Sequence, residues 1–202
     1  MPGTDQQDKA MITFLNGLVP LTTEIIQLAR RETFRVAVGK NTIINDLQDQ
    51  QEDCVFFMIK GLVRGFINDN QKDITVCFVE ENNMFGNIRN PAASVTAYPE
   101  QFQTIEDSEI LIIPYRFIDE LYHAFPETNV LARKLLAIHF HISQERSVIS
   151  RIPSAESRYK QFVGNHPSFS LRVPLKYLAS YLGMRVETLS RIRKKNKIQR
   201  AE

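Results

Sequence analysis

Glu187, Thr188, Ser190, Arg191, Lys194 and Lys195 lie close together near the C-terminal end of the chain. On a helix, Glu187, Ser190, Arg191 and Lys194 follow an i, i+3, i+4, i+7 pattern. They share one face, opposite Leu189 and Ile192. Thr188 and Lys195 flank that face, and Arg185 stands just before it. These side chains suit the edges and backbone of duplex DNA. An arginine forks onto N7 and O6 of guanine, and a major groove admits a helix whose first residues meet base edges. Glu187 either accepts from a cytosine amine or holds Arg191 in place. Arg193, Lys194 and Lys195 suit phosphates. The bland alternative is an amphipathic helix with a solvated basic face. Arg185 fits poorly where Ser, Thr or Asp is the usual helix N-cap, and Glu187 in the first turn compensates only in part by facing the helix dipole.

The elements that must hold this face out are legible around it, in residues 173–195. Leu178 and Leu182 are four apart on a first helix, and Leu189 and Ile192 answer from a second. Ala179 is small enough to let the two helices approach. Gly183 sits where the chain must reverse, a place that favours positive φ. Met184 closes the turn. All of these positions agree with one motif, the helix-turn-helix, and the agreement makes the bland alternative the weaker reading.

The rest of the chain is acidic. Residues 151–202 hold 12 Lys and Arg against 3 Asp and Glu, a net of +9, and residues 1–150 hold 13 against 20, a net of −7. A basic end on an acidic body fits a protein whose C-terminal part meets phosphates. Apolar and charged contents, 43% and 24%, are those of a globular protein. The N-terminal residues lack the basic and apolar regions of a secretion signal, and no apolar run is long enough to span a bilayer. A cytoplasmic location without membrane attachment is expected. Cys54 and Cys77 form no C-x-x-C pair and are expected to be reduced and buried in strands.

In chain order, residues 1–10 are polar and expected to be disordered, and residues 21–32 read as a helix. From Phe34 the period becomes strand-like. Short strands are expected at 34–38, 42–44, 54–59, 62–67 and 74–79, and a last pair at 102–105 and 109–113. Turn signals stand between them at Gly39-Lys40-Asn41, Lys60-Gly61 and Asp69-Asn70-Gln71-Lys72. This spacing predicts an antiparallel barrel or sandwich rather than βαβ units. Residues 85–101 interrupt the rhythm, and an inserted irregular segment is a natural ligand site. Its candidate pocket residues are Phe85, Gly86, Asn87, Arg89 and Tyr98. A short helix is expected at 115–125. Pro126 opens a long one that Pro153 stops. Along it Leu131, Leu135, Ile138, Ile142, Ile149 and Ile152 make a heptad stripe, expected to be the seam of a two-fold dimer. Leu136, Phe140 and Val148 make a second stripe, so one face is expected on the chain's own barrel and one on a partner.

No catalytic or metal constellation stands out. His139 and His141 are two apart and face different ways on a helix, while His123 and His166 stand alone. There is no nucleophile–base arrangement, P-loop or Rossmann glycine pattern. An enzyme is therefore not expected, and a metal site is not expected.

The order of elements resembles the Crp/Fnr family of transcription regulators. The likeness covers nearly the whole chain and is most specific at Tyr177-Leu178-Ala179-Ser180-Tyr181-Leu182-Gly183 and at Glu187-Thr188-Leu189-Ser190-Arg191-Ile192-Arg193-Lys194. Lys60-Gly61-Leu62-Val63-Arg64 and Glu106-Asp107-Ser108-Glu109 support it. The resemblance implies an α+β fold with three parts. These are an antiparallel β-roll sensor domain of double-stranded jelly-roll type (1–125), a dimerisation helix (126–152) and a helix-turn-helix DNA-binding domain (153–202). It implies duplex DNA, a second copy of the chain and RNA polymerase as partners, with Glu187 and Arg191 as the base-reading pair. The sequence departs from the family in two places. A β-hairpin wing usually follows the recognition helix, but few residues remain after it here, so a wing is expected to be rudimentary or to lie upstream. Cyclic-AMP-binding members show Gly-Glu followed by Arg-Ser or Arg-Thr, whereas here Asn87 follows Gly86, and Ala97 and Tyr98 stand at the later positions. Cyclic AMP is therefore not the expected effector, and any ligand of the β-roll is unidentified. A sensor module of cyclic-nucleotide type that regulates a protein partner is the alternative reading.

Overall fold

The strand-like run beginning at Phe34 forms two antiparallel sheets. The computed structural model describes residues 8–44, 53–86 and 98–198. Strands β1 (Phe34–Val38), β2 (Cys54–Lys60), β3 (Val63–Asp69), β4 (Lys72–Val79), β5 (Met84–Phe85), β6 (Gln101–Thr104) and β7 (Ser108–Pro114) follow in order. One sheet has the order β1-β7-β2-β5 and the other β4-β3-β6. The pair expected from 102–105 and 109–113 is not a pair: β6 joins the second sheet and β7 lies between β1 and β2 in the first. The chain crosses between sheets at Ile105, whose N–H donates to the carbonyl of Leu62 at 2.8 Å. Around residues 42–44, Ile43 makes a single bridge to Gln103, and Ile44 is fully buried.

β2 reads as an unbroken apolar run because both its faces are covered. On one face Val55 and Phe57 pack with Met11, Ala29, Leu111, Ile113 and Phe117. On the other, Phe56 stacks on Phe85 at 5.2 Å and Phe85 meets Phe102 of β6 at 5.3 Å, so three rings tie the sheets together. The helices on the outer face are α1 (Lys9–Leu18), α2 (Thr23–Glu32) and α3 (Tyr115–Ala124). Expected disorder over residues 1–10 is corrected at its end. Asp8 is 3% exposed, accepts from Arg30 Nε at 3.1 Å and leads into α1, because Met11, Phe14 and Leu15 need an apolar cover. Lys134 Nζ donates to the Leu18 carbonyl at 2.6 Å, satisfying an end of α1 that has no helical partner.

The turn between β2 and β3 demands glycine. Gly61 has φ +111°, and a Cβ there would lie 2.7 Å from Ser108 Cβ and 2.8 Å from Ser108 Cα. Gly61→Ala is expected to lower stability by about 2–4 kcal/mol, combining backbone strain with overpacking. Urea unfolding reads this as a lower midpoint at unchanged slope. The β3–β4 hairpin turns at Asn70 and Gln71, both at positive φ, the geometry whose twist suits two-residue hairpins.

After β7 and α3 come the long helix α4 (Thr128–Arg151), then α5 (Ala155–Asn165), α6 (Phe169–Arg172), α7 (Leu175–Tyr181) and α8 (Val186–Ile198). Two compact units result. One comprises Met1–Gly65 with Phe78–Ile138, and the other Phe66–Cys77 with His139–Glu202. Among the described residues no helix is long and apolar enough to cross a membrane.

Candidate nucleic-acid interface

Ser154 caps α5, its Oγ accepting from the Ser157 N–H at 3.3 Å, and the helix buries Tyr159 and Phe162. Phe162 lies 5.9 Å from Phe169 and 5.2 Å from Tyr181, while His166 stacks on Phe169 at 5.0 Å. Burial pushes the Tyr181 hydroxyl up to about 12; of the neighbouring charges, Arg146 lowers it while Cys77 and Glu145 raise it, so the phenol stays neutral. This cluster seats α7. Tyr177, Leu178, Ala179 and Leu182 are buried, and Leu189 and Ile192 of α8 close the corner.

The reversal between α7 and α8 is a Schellman cap. The Met184 N–H donates to the Ala179 carbonyl at 3.0 Å and the Gly183 N–H to the Ser180 carbonyl at 3.1 Å. Gly183 has φ +60°, the left-handed conformation its place at the reversal predicts. A Cβ there would meet nothing, so the requirement for glycine is conformational only.

The buried corner leaves one side of α8 to solvent. Arg185, Glu187, Ser190, Arg191, Lys194 and Lys195 are exposed and Thr188 is half-buried. Lys195 Nζ donates to Glu156 Oε2 at 3.1 Å, and Lys160 Nζ lies 2.8 Å from Glu156 Oε1. The bond from Lys160, then that from Lys195, holds the Glu156 carboxyl below its ordinary value. Arg193 turns inward. Its Cζ lies over the Tyr159 ring at 5.9 Å, so it stands apart from the exposed face. No wing lies upstream, because α6 occupies the stretch between α5 and α7 and no strand follows β7 among the described residues.

Sequence patterns gave no sign of two further attachments. The hairpin residues Thr75 and Val76 belong to the same unit as α7 and the second half of α4. The Thr75 N–H donates to Ser180 Oγ at 3.0 Å, and Arg146 Nη1 donates to the Val76 carbonyl at 3.0 Å. A turn signal predicts that a chain reverses, not where its tip lands. Glu145 takes a hydrogen bond from Asn165 and lies 3.8 Å from His166 Nε2.

On α4, Leu131 and Ile149 are buried and Leu135 and Ile138 are half-buried, as is Ile152 just past its end. The stripe expected at a partner is therefore largely turned into this chain, with Ile142 its exposed exception. The open stripe is the other one, with Leu136, Phe140 and Val148 at 54%, 61% and 60% exposure. His139, on the half-buried side, has its pKa lowered by burial and then by the Arg146 charge. The folded state thus binds this proton less readily than the unfolded state. Stability from this group is present above the ordinary histidine value of 6.5 and falls as pH drops through it toward the lowered value. The melting temperature of the wild type is expected to fall more steeply below neutrality than that of His139→Gln, as differential scanning calorimetry across a pH series will show.

Of the pocket candidates, Phe85 is buried between Phe56 and Phe102, and Tyr98 is 49% exposed. Gly86 has φ +131° and would place a Cβ 3.3 Å from the Cys54 carbonyl oxygen. Asn87 and Arg89 lie outside the described residues. Cys54 and Cys77 are in no disulfide and are half-buried rather than buried as expected. They lie on β2 and β4 at positions the sheets do not cover fully. Among the described residues no three His, Cys, Asp or Glu side chains gather as a metal site.

No protein-family model matches this chain, and no curated protein matches it. Solved structures do. A Crp/Fnr-family transcriptional regulator from Eubacterium rectale superimposes with a TM-score of 0.65 at 18% identity, covering 89% of this chain and 85% of its own. A CooA variant from Carboxydothermus hydrogenoformans gives 0.63 at 18% identity over 92% and 83%. FixK2 from Bradyrhizobium japonicum gives 0.67 at 16% identity over 83% and 85%. At these identities the likeness is one of fold. The chain has the α+β fold of these regulators, antiparallel sheets followed by helices.

Proposed function

We propose that this chain is a cytoplasmic, dimeric, sequence-specific DNA-binding regulator of transcription, not an enzyme. The α7–turn–α8 unit acts as its helix-turn-helix. One observation carries the reading. The buried corner of Leu178, Leu182, Leu189 and Ile192 forces Glu187, Ser190, Arg191 and Lys194 outward along α8. A helix so presented enters a major groove, with Arg191 and Glu187 at base edges and Lys194 at the backbone. The fold shared with transcription regulators supports the reading. RNA polymerase is the natural further partner of such a regulator. The β-roll serves as the sensor for an unidentified ligand. We expect a ligand other than cyclic AMP, since Asn87, Ala97 and Tyr98 supply no cation for a cyclic phosphate and Arg89, the one cation in residues 85–101, stands three residues after Gly86, near the wrong end.

Selection of duplexes from a random-sequence pool tests the reading, and an enriched pseudo-palindrome is the expected result. Its half-sites should lie about 34 Å apart, one DNA turn. A pool that never converges would overturn it. On the selected duplex, Lys194→Ala is expected to weaken specific and random DNA about equally. It should also flatten the salt dependence by a slope of about 0.9, one phosphate contact. Titrations at several salt concentrations measure both effects.

A further inference from the structure

α4 ends at Arg151 and α5 begins at Ala155, so only Ile152, Pro153 and Ser154 join them. Pro153 cannot continue the helix, and a joint of three residues left to itself would turn about several backbone torsions. One side chain spans it. Arg158 Nη1 donates to the carbonyl of Ile152 at 2.7 Å and to that of Pro153 at 3.2 Å. The same guanidinium donates from Nε to the Leu182 carbonyl at 2.8 Å and from Nη2 to the Gly183 carbonyl at 3.3 Å. The first two acceptors lie just past the end of α4. The other two lie in the turn that launches α8. Carbonyls at helix ends have no helical partner and carry partial negative charge. A guanidinium has five N–H donors in one plane, so its two edges can address two such ends at once.

We propose that Arg158 is the positioning residue that fixes the direction of α8 relative to α4. In a two-fold dimer built on α4, that direction sets the spacing between the two recognition helices, so Arg158 determines which operator spacing the protein accepts. This rests on the proposed DNA-binding function for its consequence, but not for its geometry. Arg158 touches no DNA in this scheme. It acts through the peptide groups of the joint and the turn. A lysine keeps the charge, yet its single ammonium cannot hold both edges together.

Two measurements on the full chain test the proposal. The first needs no DNA. Spin labels are placed at Gln144→Cys on α4 and Lys176→Cys on α7, both exposed, in a Cys54→Ser, Cys77→Ser background. Dilution with unlabelled chain leaves only distances within one chain. Pulsed dipolar spectroscopy is expected to give one narrow distance with Arg158 and a broad or shifted distribution in R158K, at a cooperative thermal transition that shows the variant folded. The second uses the selected duplex with one base pair inserted between its half-sites. The wild type is expected to lose about tenfold in affinity, and R158K less than about twofold. R158K with the wild-type distance distribution overturns the proposal whatever DNA does. So does a broadened distribution with the wild-type spacer preference intact, which reduces Arg158 to a structural tie. A wild-type chain that selects no duplex removes the proposed function and with it the spacing role, while the distance measurement still decides whether Arg158 directs α8.

Discussion

Arg191→Ala is expected to lower affinity for the selected operator by about 1–3 kcal/mol, roughly 5- to 150-fold, and to relax one base position in each half-site. The size follows from what is lost. A guanidinium forked onto guanine makes two charge-assisted bonds in a fixed plane, and no other base presents two acceptors at that spacing. Arg191 is exposed, one turn beyond Glu187, on the side of α8 away from Leu189 and Ile192. Its removal leaves the buried corner untouched, so the thermal transition should not move. The measurement is a pair of titrations, on the selected duplex and on a random one. Equal losses on both would make Arg191 a backbone contact and strip it of the readout role. This differs in kind from Lys194→Ala, where equal loss is the expected outcome.

The second large effect concerns assembly. Leu136→Asp together with Phe140→Asp is expected to give a monomer by sedimentation velocity. Affinity for the full palindrome should then fall by about 10²- to 10⁴-fold, to that for one half-site, because the second contact is no longer tethered to the first. The choice of residues comes from α4. Leu136 and Phe140 are four apart, and Val148 lies eight beyond Phe140, so all three line one side of the helix. With Phe140 among them, Arg133, Ala137, Gln144, Ser147 and Arg151 form an exposed row at alternating spacings of four and three. Exposed apolar side chains of this size in a row are costly in water, and in the proposed dimer a second copy of the same helix would cover them with a closed two-fold interface. Aspartates there would have to be buried without partners on dimerisation. A variant still dimeric would place the interface elsewhere.

The same helix shows how periodicity can mislead. Ile138 and Ile142 belong to the more regular heptad, and substitutions there would have seemed the natural test of a dimer. Yet Ile138 is half-buried in the single chain. A charge at that position would disturb folding and assembly together. A helix with apolar residues on two faces announces two contacts, but the pattern alone does not say which of them is made within the chain.

At the C-terminal end the sequence alone went far. The i, i+3, i+4, i+7 polar face of α8, the leucines that oppose it and the glycine at the reversal are all local. They lie within a few turns of one another, and helical geometry relates them without help from distant residues. Most strand positions and the glycine at position 61 were legible for the same reason, since turns are written in adjacent residues, but the strand expected at 42–44 is only a single bridge and β5 was not foreseen. Four matters were decided only by tertiary structure. β6 and β7, neighbours in the chain, entered different sheets because Ile105 pairs with Leu62, a partner 43 residues away. Residues 9–18 became an ordered helix because the outer face of β2 and β7 needed Met11, Phe14 and Leu15 as cover. Arg193 and Lys195 sit in the same basic run as Lys194, yet Tyr159 draws one inward and Glu156 engages the other. Arg158, on α5, spans two helix ends that are distant in sequence, at Ile152 and at Leu182. The sequence specifies local geometry and the sign of each surface, because these depend on covalent spacing. Which donor meets which acceptor across the fold depends on where packing brings backbone groups, and no local pattern encodes that.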